Sequence, residues 1–160
     1  MLFLMETGVR VRELCDIRLN DIDWKDGLVK IRGKNGQERH VPIQETVKRE
    51  MKKYVTIRGQ ERSNYDHLWL NQDNEPLSSR QVQQNLNYYG KKAGIKNVRV
   101  SPHTFRHTFA KMAVQNGANI FSLQKVLGHS TLEMVRRYVN MFDTDVAKDH
   151  QKFGPVQRLF

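Results

Sequence analysis

Cysteine is almost missing from this chain of 160 residues: Cys15 stands alone. No intrachain disulfide can form, so a packed core must hold the fold. Cys15 lies among apolar positions and reads as a small core residue in a cytoplasmic protein. No apolar run approaches the length of a membrane span. The opening MLFLM is too short for a signal peptide and lacks a basic leader. It reads as the last turns of a helix that starts earlier, in a longer protein. Acidic residues are missing altogether from Pro76 to Leu132. That stretch carries Arg80, Lys91, Lys92, Lys96, Arg99, Arg106, Lys111 and Lys125. A solvated surface mixes signs, so a run of one sign points to an anionic partner, either nucleic acid or an anionic membrane surface. The whole chain leans the same way, with 27 Lys plus Arg against 17 Asp plus Glu. Motifs for ATP and carboxylate clusters suited to a metal nuclease are also absent. Neither His40, His67 nor His150 completes a zinc-ligand spacing, so no metal and no cofactor is expected.

What is present divides into short elements. Met1 to Glu6 ends a helix, Thr7-Gly8 breaks it, and Val9 to Leu19 reads as a second helix with Leu14 and Ile17 buried. Arg10 stands at the start of that helix, where free backbone N–H groups favour an anion. Glu13 is three residues on and shares its face. An exposed ion pair of little energetic value is the competing account. Leu28 to Arg32 and Glu38 to Ile43 read as strands joined at Asn35-Gly36, a strong hairpin signal. Lys34 stands beside that turn, either as a solvated lysine or as a mobile group that reaches a bound backbone. Thr46 to Arg58 is helical on the stripe Val47, Met51, Tyr54 and Val55. Ser78 or Ser79 caps a helix that runs to Ala93 and stops at Gly94. The fold expected is one domain, mainly α with a small antiparallel β-sheet.

Ser101-Pro102 is a helix start, with serine as N-cap and proline at the first position. Phe105, Phe109, Met112 and Ala113 are the expected core face of that helix. His103 and Arg106 are three apart on another face, near an N-terminus suited to phosphate. His107 falls one residue away and reads as a packing or supporting residue. Asn119 starts a further helix with Phe121, Leu123, Val126 and Leu127 apolar, and Gly128 ends it. His129 projects at that turn. Ser130 to Glu133 forms a capping box for a last short helix that carries Tyr138. Periodicity leaves Tyr138 open between a packing tyrosine and a nucleophile.

Four segments together resemble the catalytic domain of the tyrosine recombinases, or phage-type integrases. They are TGVRVREL at Thr7 to Leu14, IRGKNGQERHVPI at Ile31 to Ile43, SPHTFRHTFA at Ser101 to Ala110 and LGHSTLEMVRRY at Leu127 to Tyr138. Their order and internal spacing agree with the family. By that resemblance Arg10 and Arg106 are the two catalytic arginines, and His103 is the histidine paired with the second. Lys34 is the hairpin lysine, His129 the later histidine, Tyr138 the nucleophile and Glu13 a supporting acid. The resemblance implies a recombinase or integrase of a mobile element or phage. It cuts and rejoins double-stranded DNA through a 3′-phosphotyrosyl link without metal or nucleotide. It also implies a catalytic unit over 1–140 and a tail over 141–160 that docks between protomers. A homotetramer on synapsed DNA sites, a further DNA-binding domain ahead of Met1 and a place on the nucleoid complete the expectation. A DNA-binding remnant without catalysis and a nicking-rejoining topoisomerase are the competing classes.

Overall fold

The Thr7-Gly8 step sets the first corner of the molecule. Helix α1 (Leu2–Thr7) ends on Gly8, which takes the left-handed conformation at φ 59° and returns its N–H to Leu4. Helix α2 (Val11–Cys15) follows, with Arg10 in extended backbone as its N-cap. A 3-10 turn at Leu19–Asp21 leads to β1 (Ile22–Asp23), β2 (Leu28–Arg32) and β3 (Glu38–Pro42). Helices α3 (Glu45–Gln60), α4 (Ser79–Lys92), α5 (Pro102–Gln115) and α6 (Ile120–Leu127) complete the order. The computed structural model describes residues 1–33, 36–60, 63–129, 131, 133 and 136. Lys34, the Asn35 side of the hairpin turn, the Ser130 cap, Tyr138 and the tail over 141–160 lie outside them. The described fold is mainly helical with one small antiparallel sheet.

The expected second helix is shorter than periodicity suggests. Past Cys15 the chain instead leaves the helix, and Arg18 forms an isolated antiparallel bridge with His67 before the 3-10 turn begins at Leu19. Ile17 accepts from the Leu68 N–H at 2.7 Å, and the Leu19 N–H donates to Asp66 at 2.9 Å. These backbone bonds replace the helical ones that Val9 to Leu19 would have made.

The sheet runs β1-β2-β3. Val29 stands opposite Val41 and Ile31 opposite Arg39, so all four share one face. Val29, Ile31 and Val41 are wholly buried on that face. Each such side chain contributes about 1.5–3 kcal/mol relative to exposure. Arg39 therefore occupies an inward position that the pleat would normally give to an apolar residue.

The helix starts follow the predicted chemistry. Ser78 accepts from the Gln81 N–H and Ser101 from the Thr104 N–H. Asn119 accepts from Phe121 and Ser122. One core assignment needs correction: Met112 is exposed. Of the apolar residues on α6 Phe121 is exposed as well, while Ala110, Leu123 and Leu127 form the buried set between α5 and α6. Arg106 takes the inward place on α5 beside Ala110.

Gly8 also meets α5. A Cβ there would overlap the Phe109 ring and would sit at a left-handed φ. Gly8→Ala should therefore cost about 2 kcal/mol or more. Urea unfolding of the two chains should show a lower midpoint with an unchanged m-value.

Candidate active site

Three arginines from distant parts of the sequence reach the C-terminal end of α6. A helix leaves its last carbonyls without intrahelical donors and carries partial negative charge there. Arg39 on β3 donates from Nε to the Val126 carbonyl at 2.8 Å. Arg106 on α5 donates from Nη2 to the Leu127 carbonyl at 2.8 Å. Arg10, at the head of α2, approaches the Gly128 carbonyl with both terminal nitrogens at 3.4 Å, a weak contact. Gly128 turns the chain at φ 63° and places His129 beside Arg106.

Arg106 is the most enclosed of the predicted site residues that lie on α5. Its side chain is buried, and Nη1 also donates to the Gly8 carbonyl at 2.7 Å. Two helix ends, those of α1 and α6, thus share one guanidinium. Nη2 further contacts His129 Nε2 at 2.7 Å. A guanidinium only donates, so Nε2 of His129 holds a lone pair and the ring proton lies on Nδ1. Burial and the charges of Arg106, Arg10 and Arg39 push the His129 pKa down to about 4. His129 is therefore neutral near pH 7.

Arg10 keeps 46% of its side chain exposed and is held from below by Glu13, which is 5% exposed. Nη1 of Arg10 donates to Glu13 Oε1 at 2.9 Å, and its backbone N–H donates to Oε2 at 2.8 Å. Arg39 donates to both oxygens of the same carboxylate, at 3.0 and 2.7 Å. Burial would raise the Glu13 pKa, but the hydrogen bonds from Arg39 and Arg10 outweigh it and hold the carboxyl below its usual value. The exposed-pair account of Arg10 and Glu13 is thus too plain, because the acid is buried and shared.

The structure joins Arg10, Glu13, Arg106 and His129 in one network. His103 stands one helical turn before Arg106, exposed on α5. Its Nε2 meets Nε2 of His107 at 2.7 Å, so one ring donates to the other. Burial, then the charges of His103 and Arg106, lower the His107 pKa. Lys34 and Tyr138 lie outside the described residues. Arg39 was not among the predicted residues. Its one signal in the sequence is its alternation with Val41 and Ile43, which puts a charge on the inward face of a strand.

Among the described residues no group of three or more His, Cys, Asp or Glu is placed to hold a metal ion. No helix among them is long and apolar enough to cross a membrane. A cavity of about 330 Å³ lies against α1 and α4, lined by Phe3, Leu4, Trp69 and Leu86 among others, and includes none of the site residues.

The model of the phage integrase family matches residues 1–145. The chain is 34% identical over 158 residues to tyrosine recombinase XerC of Thermodesulfovibrio yellowstonii, covering 95% of this chain and 52% of that protein. It is 36% identical over 155 residues to tyrosine recombinase XerD of Staphylococcus saprophyticus, with the same two coverages. The chain thus spans about half the length of these relatives. The crystal structure of XerA recombinase superposes with a TM-score of 0.82 at 29% identity, over 93% of this chain and 54% of that one. XerH recombinase, solved in a post-cleavage complex with its difH substrate, shares the fold at TM-score 0.80 and 22% identity, over 96% of this chain and 44% of that one.

The depressed His129 predicts an acid-side loss of stability. Above its unfolded pKa of 6.5 both states are neutral and the contribution is whole. As pH falls toward about 4 the unfolded chain binds a proton that the folded chain refuses, so stability drops. His129→Gln should flatten the fall in unfolding free energy across this window, as measured by denaturant titration at stepped pH.

Proposed function

The chain belongs to the phage integrase family of tyrosine recombinases, and we propose from that premise that it cuts and rejoins double-stranded DNA by transesterification. The observation that carries this reading is the convergence of Arg10, Arg106 and neutral His129 on the end of α6. Two guanidinium groups held by helix ends and a buried acid suit a tetrahedral phosphate, whose nonbridging oxygens they would bind in bidentate fashion. Their charge would count most in the transition state, where negative charge builds on those oxygens.

In this proposal the Tyr138 oxygen attacks a backbone phosphorus. A 3′-phosphotyrosyl bond forms, and the bond to the 5′-oxygen breaks. Lys34, the lysine that the family resemblance singles out, gives its proton to that leaving oxygen. His103 takes or places the tyrosine proton, with His107 against its ring. When phosphate draws Nη2 of Arg106 away from His129, the ring can carry its proton on Nε2 and donate to the same phosphate. Attack by another strand's 5′-hydroxyl then reverses the chemistry, so the phosphoester energy is kept and no nucleotide is consumed.

The unit over 1–140 would be the catalytic domain, and the tail over 141–160 a segment for docking between protomers. The relatives' greater length supports a further DNA-binding part in the whole protein. Paired exchanges at two sites call for a homotetramer on synapsed DNA, on the nucleoid of a cell. Movement of a mobile element or phage is the biological role proposed. The basic stretch from Pro76 to Leu132 supports DNA over other anions, because the family's substrate is a polyanion that needs an extended positive surface.

A library of partly randomised duplexes, each with a nick that lets the cut fragment escape, tests the reading. The chain should form an adduct with DNA that survives denaturing electrophoresis. Tyr138→Phe should abolish the adduct and leave the duplex Kd within about twofold, since one hydroxyl contributes little to phosphate-dominated binding. Arg10→Ala should slow adduct formation by about 10²–10³. A folded chain that binds these duplexes but never forms the adduct would be a DNA-binding remnant, and the catalytic proposal would fail.

A further inference from the structure

Glu13 lies between two guanidinium groups that differ in burial and in grip. Arg39 is 13% exposed and grips the carboxylate with two nitrogens, at 3.0 and 2.7 Å. Arg10 is 46% exposed and reaches it with one side-chain nitrogen at 2.9 Å. The buried pair has fork-to-fork geometry, the stronger arrangement of the two. Arg39 is also tied to α6 and packs closely on Gly128. Its Nε is fixed to the Val126 carbonyl at 2.8 Å, and a Cβ on Gly128 would come within 2.8 Å of its Nη1. The sheet register sets it there, opposite Ile31 on the inward face.

We infer that Arg39 is a positioning residue: it neutralises Glu13, and so leaves the charge and the fork of Arg10 for a phosphate. The inference rests on the proposal that Arg10 meets phosphate. One carboxylate next to one arginine would form a closed pair, with the acid drawing the guanidinium inward. One carboxylate next to two arginines leaves a surplus of one positive charge, and burial decides which arginine carries it. Arg39 is spent on Glu13 because it is the enclosed one. Arg10 keeps its exposed edge because the carboxylate beneath it is already matched. The acid then acts as a shelf, holding Arg10 by its backbone N–H and one side-chain nitrogen, while the guanidinium keeps an exposed edge and only weak contacts to the Gly128 carbonyl.

The same residue ties the hairpin to the site. Arg39 lies five residues after Lys34 in the sequence. Its bonds to Glu13 on α2 and Val126 on α6 fix the base of that hairpin to the two elements that carry Arg10 and His129.

Arg39→Gln and the double variant Glu13→Gln with Arg39→Gln separate this role from a merely structural one. Single-turnover adduct formation on the nicked duplexes, duplex Kd and thermal midpoint are read for each. Arg39→Gln leaves Glu13 to Arg10 and should slow adduct formation about a hundredfold, the loss typical of one transition-state donor. Its Kd should stay within about twofold, as for a contact used in the transition state rather than in binding. The double variant removes both charges, frees Arg10 and should recover to within about tenfold of the parent. A structural role would give no such recovery.

An Arg39→Gln chain that is folded and cleaves at the parent rate overturns the inference. So does a folded double variant no faster than the single one. If Arg39→Gln does not fold, because Glu13 is left buried and uncompensated, the double variant decides alone. Recovery to within tenfold supports the charge-sparing role, and a hundredfold loss or failure to fold overturns it. Arg10→Ala is run in parallel. Slow cleavage there with parental cleavage in Arg39→Gln removes only the role of Arg39. Parental cleavage in Arg10→Ala removes the phosphate role of Arg10 and this inference with it.

Discussion

The carbonyls of Val126, Leu127 and Gly128 close helix α6 in a row, and each faces a guanidinium from another part of the chain. A helix end cannot satisfy these groups itself. Here the donors come from β3, α5 and the head of α2, so hydrogen-bond need at one helix terminus draws three elements together. Arg106 adds α1, because it also takes the Gly8 carbonyl. The site and the packing of the domain are thus one set of bonds. The hairpin, the two N-terminal helices and α5 are all oriented by where α6 stops.

Concentrating three positive charges costs energy through mutual repulsion, and the molecule offsets it in two ways. Glu13 is buried against Arg10 and Arg39 and stays ionised. His129 responds in the opposite sense and stays neutral, with its pKa pushed down to about 4. A charged imidazole among these groups would add to the repulsion. A neutral one can accept from Arg106 and later exchange that bond for another. Buried ionic clusters of this kind contribute little net stability, because desolvation consumes most of the attraction. Their worth lies in orientation: the donors around Arg10 are already in place, as the proposed phosphate chemistry asks of a site that binds charge more tightly in the transition state than in the ground state.

Much of this was legible before any coordinates. Ser101-Pro102, Asn119 and Gly128 act through bonds within one turn of themselves, so their residue types announce the helix boundaries they make. Val29 and Val41 could be placed in a hairpin because the Asn-Gly step fixes which strands meet. Met112 is exposed on a face that looks apolar, because periodicity finds such a face but not whether another element arrives to cover it. The second helix is shorter than its periodicity for a related reason: Ile17 and Leu19 find backbone partners at Leu68 and Asp66, 51 and 47 residues on.

The stretch from Ser101 to His129 carries its own helix starts and its own stop, and these follow from neighbours in sequence. With the segments at Thr7 and Ile31 and the run from Leu127 to Tyr138 it also determined the family, since order and spacing are properties of the chain alone. What tertiary structure decided is which charge serves which purpose. Arg10, Arg39 and Arg106 are one residue type in sequence. Only folding makes Arg39 the enclosed partner of Glu13, Arg106 the clasp of two helix ends and Arg10 the open one. Burial and hydrogen-bond geometry depend here on residues 87 to 118 positions apart, and they alone separate an enclosed guanidinium from an exposed one.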